Sequence, residues 1–312
     1  MENIHVLCEK MINDNISGDI DPYVKKLLTI AVMAIVIDNG EYAYEKLPNI
    51  LRRMNIYAEN KSVLEIAHEK LENYSEDEEL CYADASATRS LSIDPENKSV
   101  DEQLNFLISL TNVEQKNATK TIEKTVNGLI HFMRFGEINS TNSTIVIKDG
   151  ICTITYDTKK NTLKKKHHTF ESGLSQYYTL RALGKLYSFV ENDSSIKDKL
   201  LIKFKADYLE HEPSSYLLPV TIIQSLCTDK HFKDLLDASF EENKGIAKFI
   251  SYYNSILNDS SAFTFLSHQI DKCTMQTNNG DDEDALATLD IIKTEISKFR
   301  NSSKIYKQTK RF

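Results

Sequence analysis

Seven residues within ten positions, Lys159, Lys160, Lys164, Lys165, Lys166, His167 and His168, make the densest group in this chain able to meet an anion. Lysine ammonium groups at this spacing suit phosphate or carboxylate oxygens, and five or six such contacts would make binding steeply salt-dependent. The same lysines have a structural use, because charge on an exposed edge strand discourages strand-to-strand aggregation. Adjacent histidines on a strand point to opposite faces, which makes His167 and His168 a poor pair of ligands for one metal. A second basic group closes the sequence: Lys304, Lys307, Lys310 and Arg311, interleaved with Tyr306 and Phe312. Aromatic rings beside cations can stack on bases or dock on a neighbouring subunit.

Other chemistry is harder to find. Asp281-Asp282-Glu283-Asp284 follows Asn278-Asn279-Gly280 and opens a helix-patterned stretch, where acids are favoured by the macrodipole. A calcium loop aligned on Gly280 needs an acid where Met275 stands, and one aligned on Gly18 ends on Val24 instead of a bidentate glutamate. The eight histidines form no HExxH, and no nucleophile elbow, phosphate loop or dinucleotide fingerprint occurs. His131 lies in an apolar-faced helical pattern and reads as a packing residue. Cys8, Cys81, Cys152, Cys227 and Cys273 are odd in number and far apart, without zinc spacing, which fits a reducing, cytoplasmic compartment. No catalytic residue, metal site or cofactor is expected. The most apolar run, Leu27–Ile37, has eleven residues against the roughly 20 needed to span a bilayer, so it reads as a core helix and no membrane contact is expected.

The net charge of −8 is unevenly spread. Residues 1–143 carry −10 and 171–299 carry −7, whereas 144–170 carry +4 and 300–312 carry +5. An acidic total argues against indiscriminate coating of nucleic acid and leaves two local basic surfaces.

These surfaces need elements to hold them. Asp21-Pro22 reads as an N-cap and first-turn proline, with Asn39-Gly40 ending that helix. Capping-box patterns at Ser62/Glu65, Ser75/Glu78, Ser99/Glu102 and Thr111/Glu114 predict helices near 62–73, 76–83, 100–110 and 112–135, with 86–98 as a loop holding at most a short extended piece. The period then changes. Ile145, Ile147, Cys152 and Ile154 alternate about Asp149-Gly150, which predicts a two-residue hairpin pairing Lys148 with Ile151, with those four side chains and Tyr156 on one face. A turn at 157–161 returns a lysine-rich third strand over 162–170, exposed at the edge. Helices resume near 174–191, 195–210, 215–227, 229–240, 243–257, 260–276 and 283–299, followed by a mobile basic tail.

The expected fold is mainly α: two helical lobes with a small antiparallel β-hairpin or meander inserted between them. The divisions fall at 1–143, 144–170, 171–300 and 301–312. The expected function is that of a non-catalytic intracellular binding or assembly protein. It contacts a polyanion such as nucleic acid, or a neighbouring subunit in a homo-oligomer, through the basic strand and tail. One alternative is a hydrolase or nuclease of a defence or mobile-element system with a site between the lobes, to be tested first at His167, His168, Asp157 and Lys166. Another is a regulator that binds only a protein partner.

Overall fold

The computed structural model describes residues 4–71, 84–94, 99–113, 116–141, 144–193, 196–211, 217–241 and 243–309. The predicted helix at 76–83 and the residues Lys310 and Arg311 lie outside them. The protein is mainly helical, with eleven helices and two small sheets among the described residues. Its contacts divide the chain into two compact units, residues 1–133 with 178–214, and residues 134–177 with 215–312.

In the first unit, α1 (Ile4–Asn15) is followed by α2 (Pro22–Arg53). Asp21 caps α2 by accepting from the Tyr23 amide at 2.8 Å. Its residues Leu27 to Ile35 are buried, as a core helix requires. The helix does not end at Asn39-Gly40. It breaks at Gly40, with φ 51° and ψ −126°, and resumes to Arg53. Just before the break, the fully buried carboxylate of Asp38 accepts from Arg181 and Lys185 of α5 (His168–Asn192).

A three-stranded sheet follows, in the order β1-β3-β2, from β1 (Met54–Glu59), β2 (Ala85–Asp94) and β3 (Ser99–Ser109). The chain therefore carries a second sheet beyond the expected insertion; the predicted helix over 100–110 is corrected to strand through Ser109, and the predicted loop over 86–98 is corrected to strand through Asp94, its remaining residues lying outside those described. Leu104, Phe106 and Ile108 alternate with Asn105, Leu107 and Ser109, and all six are buried because β3 is the central strand. Leu107 packs with Val63, Ile66 and Ala67 of α3 (Val63–Lys70), whose Ser62/Glu65 capping box is formed. On the Phe106 face, α4 (Ala118–Arg134) comes so close that a Cβ on Gly128 would stand 2.0 Å from the Ala87 Cβ. Fully buried Asn105 accepts from the Asn55 side chain at 3.1 Å, a polar link that fixes the register of β1 on β3. Further along, α4 receives α6 (Lys199–Tyr208) through Thr119 Oγ1 donating to the Phe204 carbonyl at 3.2 Å, and the residues just after α6 through a buried Glu123–His211 pair.

The second unit holds a four-stranded antiparallel sheet in the order β4-β5-β6-β7. Its strands are β4 (Phe135–Ser140), β5 (Thr144–Asp149), β6 (Cys152–Asp157) and β7 (Thr162–Lys166). β4 was not foreseen. Ile145, Ile147 and Cys152 are buried on one face, as predicted. The hairpin register differs: Asp149 pairs with Cys152, Ile147 with Ile154 and Ile145 with Tyr156, so the two-residue loop is Gly150-Ile151. The shift keeps the parity of each strand and hence the apolar face. α7 (Leu217–Leu226), α8 (Lys230–Glu241), α9 (Asn243–Leu257), α10 (Ala262–Asn278) and α11 (Asp282–Thr309) complete the unit. Their core is aromatic: Phe232, Phe249, Tyr253, Phe263 and Phe299 meet mostly edge to face, with Tyr253 stacked on Phe299 at 4.7 Å. α11 runs to Thr309, through the described part of the stretch expected to be a mobile tail. Ile292, Ile296, Phe299 and Ser303 continue one buried stripe, and Ser303 donates to Asp229, which caps α8 at the Phe232 amide.

Candidate functional site

β7 is the outermost strand of its sheet and pairs with β6 from Asp157↔Thr162 to Thr153↔Lys166. All five of its residues are exposed. Alternation puts Leu163 and Lys165 on the face of Tyr156 and Ile154, and Thr162, Lys164 and Lys166 on the opposite face with Thr155 and Thr153. The preceding turn is built by Asp157, whose Oδ1 accepts from the Lys159 amide at 3.0 Å and the Lys160 amide at 3.1 Å. Asn161 closes it with φ 50°, a conformation asparagine tolerates, and accepts from the Tyr156 hydroxyl at 2.7 Å. Lys159 and Lys160 are thereby held at the head of the strand, both exposed. None of Lys159, Lys160, Lys164, Lys165 or Lys166 has a carboxylate within ion-pair distance among the described residues. Five cations thus share one turn and one edge, none of them in an ion pair among the described residues.

The two histidines leave this edge. The strand ends at Lys166, and His167 adopts φ 60° to turn the chain into α5. Its ring lies 5.6 Å from that of Phe263, and its Nδ1 is buried without a hydrogen-bond partner. Burial lowers its pKa, Lys166 adds to the effect, and Asp271 opposes it. His168 begins α5 and is exposed. Partial burial of its ring and the nearby Lys165 push its pKa the same way, weakened by its contact with water. Asp271 accepts from the Thr169 amide at 3.2 Å and so anchors the start of the helix.

The sign of the resulting pH effect follows from the direction of the shift. A histidine whose folded pKa lies below its unfolded value keeps its full contribution above the unfolded value, about 6.5, and loses it as pH falls. The urea midpoint of the second unit is expected to drop between pH 7.5 and 5. His167→Asn, which keeps a residue tolerant of positive φ and removes the titrating ring, should flatten that drop. A variant with the parent's pH dependence would show that His167 is not its source.

What holds the hairpin beneath β7 is an ion pair that reading the chain residue by residue does not reveal. Arg134, the last residue of α4, and Glu171, in the first turn of α5, are 1% and 2% exposed in their side chains and form a two-point pair. Glu171 Oε2 also accepts from the Ile151 amide at 2.7 Å, and the Gly150 amide donates to the Arg134 carbonyl at 3.0 Å. Both loop amides of the hairpin are thereby satisfied. Glu171 alone reads as an acid favoured at a helix N-terminus, and nothing in its spacing from Arg134 signals the pairing.

Of the remaining residues singled out by type, Lys304 is exposed on α11, a different element from the strand. The side chain of Lys307 lies outside the described residues, with Lys310 and Arg311. Asp157 is occupied by the turn, away from His167 and His168 in role. Asp282, Glu283 and Asp284 open α11. Among the described residues, no three His, Cys, Asp or Glu side chains gather in a way that would hold a metal ion. Comparison with protein families, with characterised proteins and with solved structures finds no match to this chain.

Proposed function

We propose that this chain is an intracellular, non-catalytic binding protein whose contact surface is β7 with the turn that precedes it, and whose partner is polyanionic. One observation carries the reading: five exposed lysines on one turn and edge have no carboxylate partner among the described residues, in a chain whose total charge is −8. Edge protection calls for charge on the strand itself and gives no role to Lys159 and Lys160 in the turn before it. A cluster left uncompensated on an acidic protein concentrates attraction at one place and repels anions elsewhere, which favours a single orientation of the partner. The intracellular part rests on the thiols. Cys8 and Cys152 are free and buried, with burial pushing both pKa values up to about 12, the condition of an inert structural thiol.

The test is the triple replacement Lys164→Ala, Lys165→Ala and Lys166→Ala. The side chains are exposed, so the urea midpoint is expected to stay within the range of surface changes, about 0.5 kcal/mol. Elution from an immobilised polyanion such as heparin should move to lower salt. With a single-stranded oligonucleotide as probe, the log–log salt slope should fall by roughly 2, at about 0.7 per phosphate contact. Elution and slope equal to the parent's would remove β7 as the contact surface.

A further inference from the structure

The edge that carries the lysines has a second property. β7 is hydrogen-bonded to β6 along one side, and the sheet ends there. The other side offers a row of backbone N–H and C=O groups at strand spacing, the arrangement onto which an extended peptide adds by main-chain pairing. Phosphates accept hydrogen bonds and donate none, so a nucleic-acid backbone leaves the carbonyls of such a row without partners. A peptide strand satisfies both kinds of group.

Side chains then specify the peptide. Directly opposed residues in a sheet bring their Cβ atoms to about 5 Å, where opposite charges attract and like charges repel. The added strand therefore meets Lys164 and Lys166 on one face, and Leu163 and Lys165 on the other. Leu163 is 52% exposed, an apolar side chain paired with Tyr156 on the β6 side, and no further strand pairs with its outer side among the described residues. A second copy's β7 is a poor occupant, because pairing it with itself sets lysine against lysine.

We propose that β7 receives an extended acidic segment of a partner protein, added as a fifth strand, with carboxylates opposite Lys164, Lys165 and Lys166 and an apolar residue opposite Leu163. The proposal rests on β7 being the contact surface and adds the identity of the occupant. Run antiparallel, the recognised core reads Glu-Glu-Glu-Leu. Consecutive acids alternate between the two faces, so each meets its own lysine.

The experiment uses the full chain and a labelled peptide with that core between threonines, acetylated and amidated at its ends, followed by fluorescence anisotropy at physiological salt. Two further peptides carry N-methyl groups on alternate residues, one set on the odd and one on the even positions. Strand addition predicts that one methylated form loses at least tenfold in affinity and the other keeps most of it, since only alternate amides face β7. It also predicts at least a tenfold loss for the parent peptide against the triple-alanine variant. Equal binding by both methylated forms would overturn strand addition and leave a charge-only contact at β7. Lysine-dependent binding of an oligonucleotide of equal charge, tighter than that of the peptide, would do the same. Binding of neither probe, or binding indifferent to the lysines, would overturn both this proposal and the polyanion reading.

Discussion

Glu171→Ala is expected to destabilise the second unit by about 3–5 kcal/mol, the usual consequence of stripping one partner from a buried ion pair. The cost has three sources. Arg134, 1% exposed, keeps a buried guanidinium stripped of its two-point pair with Glu171. The Ile151 amide loses its acceptor in a buried position. α5 also loses the acid of its first turn. Glu171→Gln should fall between the variant and the parent, because an amide oxygen can still accept from Ile151. Removing both charges, Arg134→Met with Glu171→Leu, should recover much of the loss, since apolar residues often replace a buried pair at little cost. Urea unfolding measures the total, and hydrogen exchange at the Ile151 amide locates it. A loss under about 1 kcal/mol for Glu171→Ala, well below what a buried charge costs, would mean that water reaches the pair.

That ion pair also marks where sequence reading stops. The apolar face of the hairpin is legible, because period-two alternation at Ile145, Ile147 and Cys152 survives any shift that preserves parity. The register is not. Asp149-Gly150 is the preferred loop by local turn chemistry, yet the loop falls one place later, where Glu171 takes the Ile151 amide and the Arg134 carbonyl takes the Gly150 amide. Tertiary hydrogen bonds from residues twenty or so positions away outweigh the dipeptide preference. β3 fails differently. Ser99 and Glu102 have the spacing of a capping box, but Glu102 pairs instead with Arg53 of α2 and Arg89 of β2. The alternation of Leu104, Phe106 and Ile108 was the truer signal, blurred by Leu107, which is apolar because a central strand is covered on both faces. β2 does alternate, Ala85, Ala87, Arg89, Leu91 and Ile93 against Ser86, Thr88, Ser90, Ser92 and Asp94, but two alanines and an arginine on the less polar side make the period weak as a hydrophobic signal. The helices from 217 onward are legible nearly to their ends, except where α11 continues on the buried hydroxyl of Ser303, a residue that no apolar pattern selects; α5 begins at His168, inside the stretch expected as strand, and α6 begins four residues later than expected. For the candidate site, the lysine run is visible in the sequence. Its lack of compensating acids, and the departure of His167 from the strand, require the fold.

Gly150→Ala should cost about 2–5 kcal/mol, and its two causes can be separated. Gly150 has φ 56°, where a side chain costs about 1–2 kcal/mol. A Cβ there would also stand 2.3–2.4 Å from the Glu171 carboxyl group, and overpacking of this kind adds about 1–3 kcal/mol. Gly280 supplies the control. It has φ 76° and nothing within 4 Å of its would-be Cβ, so Gly280→Ala carries only the backbone part, about 1–2 kcal/mol. Equal losses for the two variants would mean that the Glu171 carboxylate moves aside without cost. Because that carboxylate is bound to Arg134 on one side and to Ile151 on the other, moving it breaks one of those contacts, and the excess at Gly150 measures how firmly the ion pair holds the hairpin. If the excess is real, Gly150→Ala should also raise hydrogen exchange at the Ile151 amide, and binding through β7 should weaken with it, because the strand depends on β6 for its only ladder and β6 begins at the residue after Ile151.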